Sequence, residues 1–122
     1  MSEGKRERDS ATIAFRRWAR AGCPRGDEIR QAGDDTERDF RACAAVFAIL
    51  AREEVRGREN SSAGEIRRAV EQVYMFESRR PMRKNEVVMR VRRLATERYV
   101  SERTVYKWLR RARMLWWRVR EK

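Results

Sequence analysis

Apolar residues recur every three or four positions along most of this chain, which is the spacing of one face of an α-helix. The pattern is continuous from Phe40 to Val55 and from Ile66 to Tyr74. Two further stripes run from Val87 to Ala95 and from Val105 to Val119, and a shorter one covers residues 13 to 21. No stretch alternates apolar and polar residues for long enough to build a sheet. The pattern therefore predicts an all-α protein, a small helical domain of about five helices.

Residues that break helices separate the stripes. Residues 1–10 are polar and charged and are expected to form a disordered arm. Gly22 is expected to end the first helix, because glycine readily adopts the left-handed conformation found at helix ends. Residues 23–35 contain a proline, two glycines and several acids. This composition predicts a linker with at most one turn of structure.

Two helix starts carry capping signals. Asp35 or Thr36 is expected to cap the second helix, since their side-chain oxygens can accept from free backbone N–H groups. Ser62 is followed three residues later by Glu65, which is the spacing of a capping box at the start of the third helix.

The whole chain has a formal net charge of +12, and the positive charge is concentrated in its second half. Residues 1–60 contain 13 Lys and Arg against 12 Asp and Glu, whereas residues 61–122 contain 18 against 7. Charge that served solubility alone would be spread evenly, and a polyanion is the usual partner of a basic surface. We therefore expect an N-terminal helical region over 1–60 and a DNA-binding region over 61–122.

Residues 94–108 read LATERYVSERTVYKW and predict a helix-turn-helix. Ala95 gives room for a closely crossing second helix, Val100 follows the turn as an apolar anchor, and Ser101 is placed to cap the second helix. Tyr99 stands where glycine is usual, so the turn is expected to be longer or differently bent. A plain αα-hairpin without a DNA-binding role is the alternative interpretation. The other core positions of the motif are Leu94, Val105 and Trp108.

The polar positions of the second helix are expected to face duplex DNA. Arg103 is the first candidate for a bidentate contact to guanine, Glu102 could accept from a cytosine amino group, and Tyr106 could contact a thymine methyl group or a phosphate. Lys107 and Arg110 share this outward face. For each arginine the alternative is an ordinary solvated helix face. The expected phosphate contacts, which position the protein without reading sequence, are Ser101, Thr104, Arg111, Arg92 and Arg93.

The segment from Ile66 to Trp117 resembles the C-terminal part of phage and prophage late-gene transcriptional regulators of the RinA/ArpU type, over less than half of the chain. The likeness implies a sigma-region-4-like helix-turn-helix and a DNA-binding activator that assists host RNA polymerase at a phage or prophage promoter. It also implies a cytoplasmic, nucleoid-associated protein of the bacterial host. The residues that carry it are Ala69, Val70, Tyr74, the basic turn before Glu86 and the run VSERTVYKWLRRA.

The chain contains few residues that are suited to catalysis or to metal binding. The chain has no histidine, and Cys23 and Cys43 are far apart, so zinc and most catalytic metal sites lack ligands and no cofactor is expected. Cys43 lies in an apolar run and is expected to be a buried free thiol. The best carboxylates for catalysis are Asp34, Asp35 and Asp39, but general acid–base work without histidine is a weak hypothesis. A phage DNA-packaging or recombination accessory protein is the second binding function considered.

Location and assembly follow from the same patterns. The longest uncharged run, residues 42–51, is about half of what a bilayer span requires, and the N-terminus lacks a secretory signal, so a soluble protein of a reducing compartment is expected. Helix-turn-helix regulators commonly bind repeated half-sites, which makes a homodimer the default expectation. Trp116 is expected in the core. Trp117 is expected either to pack on the N-terminal helices or to form a partner surface with arginines around it.

Overall fold

A computed structural model describes residues 9–56 and 62–121 of the chain. Within these residues every regular element is helical and no strand is present, which confirms the predicted all-α class. A 3₁₀ helix, Gly26–Ala32, precedes the second α-helix, and a π-helix, Val70–Met75, continues the third. Most of the expected charged arm lies outside the described residues. The α-helices are α1 (Ser10–Arg20), α2 (Asp34–Val55), α3 (Ala63–Ala69), α4 (Glu86–Arg98) and α5 (Glu102–Arg120).

The segment after α1 is more ordered than its composition predicted. Gly22 ends the helix with a positive φ of 88°, as expected. The next residues form the seven-residue 3₁₀ helix, so the prediction of at most one turn is wrong. Ile29 explains the difference because its side chain is almost completely buried. A single apolar residue among polar ones gives no periodic signal in the sequence, yet it attaches the whole segment to the core.

The start of α2 differs from the prediction. Gly33 occupies the cap position with a φ of 89°, and no side chain caps the helix. The expected caps, Asp35 and Thr36, lie inside the helix instead. Glycine reaches this backbone conformation at little cost, so it can begin a helix without a side-chain acceptor. The predicted apolar face is correct at Phe40, Cys43, Phe47 and Leu50, which are buried. It is wrong at Val55, the predicted end of the face, which is 86% exposed.

The capping box predicted for α3 does not form. Ser62 makes no side-chain cap hydrogen bond. Glu65 instead accepts from Arg98 at the end of α4, with 2.9 Å from Nε to Oε2. This bidentate pair raises the pKa of Arg98, chiefly through the hydrogen bond to Glu65. A carboxylate that binds a guanidinium at two points gains more than one that binds a single backbone N–H, so the long-range contact replaces the local one.

Helix α5 is the centre of the fold. It packs against α1, α2, α3 and α4, and its inner face buries Val105, Leu109 and Trp116. The indole Nε1 of Trp116 donates to the backbone carbonyl of Asp39 on α2 at 3.3 Å. The helices of residues 9–56 and those of residues 62–121 therefore share one hydrophobic core.

A buried arginine links α1 to the turn that follows the π-helix. The Arg16 guanidinium donates to the carbonyls of Tyr74 (2.8 Å), Glu77 (3.2 Å) and Arg80 (2.5 Å). Burial lowers the pKa of Arg16, and the nearby charge of Arg90 adds to this effect. The Tyr74 carbonyl lies near the end of the π-helix, and those of Glu77 and Arg80 lie in the turn that follows it, where the N–H of Arg80 also donates to the Glu77 carbonyl at 3.4 Å. Arg16 therefore fixes the turn over residues 76–81, which in turn sets the position of α4.

Candidate nucleic-acid interface

A short turn joins α4 and α5 at the corner that the sequence predicts to be a helix-turn-helix. Three residues separate the helices, within the range of three to four that is typical of this motif. Tyr99 adopts the left-handed conformation, with φ 54° and ψ 43°. The N–H of Val100 donates to the carbonyl of Ala95 at 3.0 Å, which closes the end of α4. The turn is thus of ordinary length, and tyrosine takes the conformation expected of glycine rather than lengthening the turn.

The predicted cap of α5 is confirmed. The Ser101 Oγ accepts from the backbone N–H of Thr104 at 3.1 Å and lies 3.0 Å from the Thr104 hydroxyl. Ser101 is exposed and Thr104 is half-buried. The two hydroxyls expected to contact phosphate therefore bind each other at the start of the helix, and Ser101 is the one that solvent reaches.

Five cations follow the solvent-facing side of α5, and they are called the outer stripe below. All five are exposed, and none forms an ion pair with any residue in the described parts of the chain. At 1.5 Å per residue the stripe extends over about 22 Å, enough to follow a DNA groove over several base pairs. The helix therefore presents a row of uncompensated positive charge. The outer stripe consists of Arg103, Lys107, Arg110, Arg111 and Arg118.

Four of these cations were predicted from the sequence, and Arg118 was missed. The same helical periodicity could have found it, because it lies eleven residues after Lys107, or about three turns along the same face. Met114 lies between them on this face and is exposed as well.

Two residues predicted to contact bases, Glu102 and Tyr106, make contacts within the protein. Glu102 forms an exposed ion pair with Arg92 of α4, with 3.4 Å between Oε1 and Nε. Tyr106 is half-buried and packs against the core, so the prediction that it points away from the core is wrong. Its position on the helix lies between the inner face and the outer stripe, where an aromatic ring can cover apolar neighbours. Arg93, the other predicted phosphate contact on α4, is exposed.

The two tryptophans at the end of α5 divide as predicted. Trp116 is buried, whereas Trp117 is 39% exposed. The Trp117 ring meets the Trp116 ring edge-on at 5.0 Å, and its Nε1 donates to the Asp9 carboxylate at 3.2 Å. Because Asp9 also caps α1, these contacts favour packing on the N-terminal helices. Arg113, expected beside Trp117 in an arginine rim, is instead buried.

Arg113 reaches into the core from α5. Its Nη1 donates to the Tyr74 hydroxyl at 2.6 Å. Burial raises the pKa of Tyr74, so the phenol stays protonated near neutral pH. Arg113 therefore supports the helix from inside while the outer stripe faces solvent.

Two of the three carboxylates considered for catalysis form ion pairs with an arginine of α5, and the side chain of Asp34 lies outside the described parts of the chain. Asp39 accepts from Arg120 at 2.7 Å, and Asp35 lies 4.0 Å from the same guanidinium. Cys43 is a buried free thiol, as predicted, and burial raises its pKa. In residues 9–56 and 62–121, no group of His, Cys, Asp and Glu has the geometry to hold a metal ion.

No family model, curated protein or solved structure matches this chain. Among the described helices, none is both long enough and apolar enough to cross a bilayer. The site must therefore be interpreted from its own geometry and charge.

Proposed function

We propose that the protein is a sequence-specific regulator of transcription that binds duplex DNA through α5. The outer stripe carries this proposal, because five uncompensated cations lie on the helix that follows a helix-turn-helix corner. The finer assignment, an activator of phage or prophage late genes that acts with host RNA polymerase, rests on the resemblance to RinA/ArpU-type regulators.

The outer stripe offers positive charge to the phosphates of duplex DNA. Duplex DNA carries one negative charge per about 1.7 Å of axis, and each phosphate that a Lys or Arg neutralises releases condensed counterions. Elsewhere in the molecule many arginines are paired internally, as Arg67 is with Glu54 and Glu71. No residue in the described parts of the chain forms an ion pair with the outer stripe, so its charge is available to a polyanion.

The residues of the stripe are expected to act in two ways. Arg103 lies in the first turn of α5, beside the Ser101 cap, where recognition helices contact base edges. Its guanidinium can bind the O6 and N7 of guanine together. Lys107, Arg110 and Arg111 lie further along the helix and are expected to contact phosphates, which fix orientation without reading sequence.

The first experiment is selection of bound duplexes from a random pool by the full chain, followed by affinity measurements over a range of salt concentrations. We expect one enriched motif and a slope of log affinity against log salt of about −4 to −7, which corresponds to about five to eight phosphates. Absence of duplex binding, or a shallow slope, would contradict the proposal. Binding without an enriched motif would instead favour a packaging or recombination accessory protein.

A matched pair of charge-reversal variants separates the stripe from net charge. Lys107→Glu with Arg110→Glu is expected to abolish measurable duplex binding. Arg17→Glu with Arg38→Glu changes the net charge equally on exposed positions of α1 and α2 and is expected to reduce binding only slightly. Equal losses in both pairs would show that general charge, not the outer stripe, holds the DNA. Sedimentation of the wild-type complex tests the predicted homodimer.

A further inference from the structure

A second surface lies on the other side of α4, between that helix and the π-helix. It is a groove with a volume of about 580 Å³, within the range of small-ligand and peptide pockets. Two of its walls are large exposed apolar side chains, Phe76 at 53% and Met89 at 65% exposure. We call it the Phe76 groove. Arg93 and Glu97 line it from α4, and Arg83 and Lys84 line it from the turn before that helix.

The Phe76 groove is held in shape by a half-buried arginine. The Nη1 of Arg90 donates to the carbonyls of Val73 (3.0 Å) and Phe76 (2.8 Å), and its guanidinium lies 5.3 Å from the centre of the Phe76 ring. Glu86 pairs with Arg90 and accepts from Arg80 at 2.8 and 3.0 Å. The exposed ring is therefore fixed from behind, and a ligand would meet a preformed wall.

The charges of the Phe76 groove do not cancel. Arg80 is paired with Glu77 and Glu86, and Arg90 is paired with Glu86, so these four residues neutralise one another. The remaining charged lining consists of three cations and one anion, none of which forms an ion pair with another described residue. These four residues are Arg83, Lys84, Arg93 and Glu97. The rim is therefore net positive around an apolar wall.

The groove and the helix-turn-helix corner use different faces of α4. Met89, Arg93 and Glu97 are spaced by four residues and share one face. Arg92 lies on the neighbouring face, where it pairs with Glu102 of α5. A ligand in the groove therefore leaves the corner free.

We propose that the Phe76 groove docks an acidic peptide segment of a partner protein, which inserts an apolar side chain between Phe76 and Met89. The rim selects negative charge, because three of its four unpaired charged residues are cations. The apolar wall favours an occupant that offers an aliphatic or aromatic side chain, which an acidic peptide supplies together with its negative charge. This inference does not depend on DNA binding by α5.

The test uses a phage-displayed library of random dodecapeptides selected against the full chain. We expect the enriched peptides to combine Asp and Glu with Leu, Ile, Phe or Trp. A synthetic peptide of the enriched sequence is expected to lose about tenfold or more in affinity for Met89→Glu, and several-fold for Arg93→Ala. Both side chains are exposed, so the variants should fold, which thermal melting confirms.

The controls change the same residue types outside the groove. Met114→Glu and Arg111→Ala lie on the solvent face of α5 and are expected to leave peptide affinity unchanged. Selection without an acidic, apolar consensus would overturn the proposal, as would a consensus peptide that binds Met89→Glu as well as the wild type. Loss of duplex DNA binding in Met89→Glu and Arg93→Ala, with peptide affinity intact, would assign this face to DNA instead.

Discussion

Arg16, which holds the turn over residues 76–81, and the arginines of the outer stripe differ in burial and in hydrogen bonding. Arg16 is 8% exposed and donates to three carbonyls, whereas Arg103 and Arg110 are exposed and meet no described acceptor. A buried guanidinium is tolerated only when it is fully bound, so Arg16 stabilises the fold. An exposed one contributes little to stability and remains available to a ligand. The location of basic residues, not their number, identifies the candidate DNA surface.

The largest effect that would test this comparison is on folding. Arg16→Ala removes the guanidinium donor from the carbonyls of Tyr74, Glu77 and Arg80, and we expect it to lower the free energy of unfolding by about 3 kcal/mol or more. Arg17→Ala, an exposed neighbour on α1, is expected to change it by less than about 0.5 kcal/mol. Urea denaturation followed by circular dichroism measures both. Similar changes in the free energy of unfolding for the two variants would show that buried and exposed arginines contribute equally to stability.

The next effect is on DNA affinity. Arg103→Ala is expected to weaken binding to the preferred site by about 1 to 3 kcal/mol and binding to random duplexes much less, because a bidentate guanine contact is lost. Arg111→Ala is expected to weaken both about equally, because phosphate contacts carry no sequence information. Fluorescence anisotropy on both duplexes measures the four affinities. Parallel losses in the two variants would remove the division of roles within the outer stripe.

A pH effect is expected from the paired carboxylate behind the Phe76 groove. Hydrogen bonds from Arg80 hold the pKa of Glu86 at about 2, below its ordinary value of 4.5. The ionised form therefore contributes stability above about pH 4.5 that is lost as the pH falls toward 2. In Glu86→Gln this part of the acid dependence should be absent, while Glu97→Gln, which removes an unpaired glutamate, should retain it. The measurement is the melting temperature of each protein from pH 6 to pH 2. If the Glu86 pair contributes nothing, the melting temperature of Glu86→Gln will fall with pH as steeply as that of the wild type.

Local patterns in the sequence were sufficient to locate the five α-helices but not the 3₁₀ helix or the contacts that hold the helices together. Periodicity located the inner face of α5, and the hydroxyl of Ser101 identified its first turn. Periodicity also treats every arginine as solvent-facing, so it could not anticipate that Arg16 and Arg113 are buried. Their partners lie 58 and 39 residues away in the sequence, on Tyr74 in both cases. The spacing of apolar residues does not predict such long-range hydrogen bonds.

The candidate site divides in the same way. The outer stripe follows from helical spacing alone, and the corner follows from residue types at fixed intervals. Tyr106 was placed on the wrong face because the sequence does not show that the core extends to it. The pairing of Glu102 with Arg92 gave no sequence signal either, while its predicted base contact stays a prediction. The Phe76 groove gave no signal at all, since Phe76 follows the π-helix, where no periodic stripe predicts which side chains are exposed.

The smallest predicted effect concerns the turn that joins the two surfaces. Tyr99 is 96% exposed, so truncating its side chain removes almost no packing. Its left-handed backbone costs a non-glycine residue about 1 to 2 kcal/mol, and glycine avoids that strain but loses more backbone entropy on folding, by about 0.5 to 1 kcal/mol. Tyr99→Gly is therefore expected to raise the free energy of unfolding by roughly 0.5 to 1 kcal/mol. Tyr99→Ala keeps the strain and is expected to give no such gain, which makes it the matched control in the same denaturation experiment. A loss of stability in Tyr99→Gly would mean that the tyrosine ring makes a stabilising contact in solution, and the turn would then belong with the internally bound residues rather than with the outer stripe.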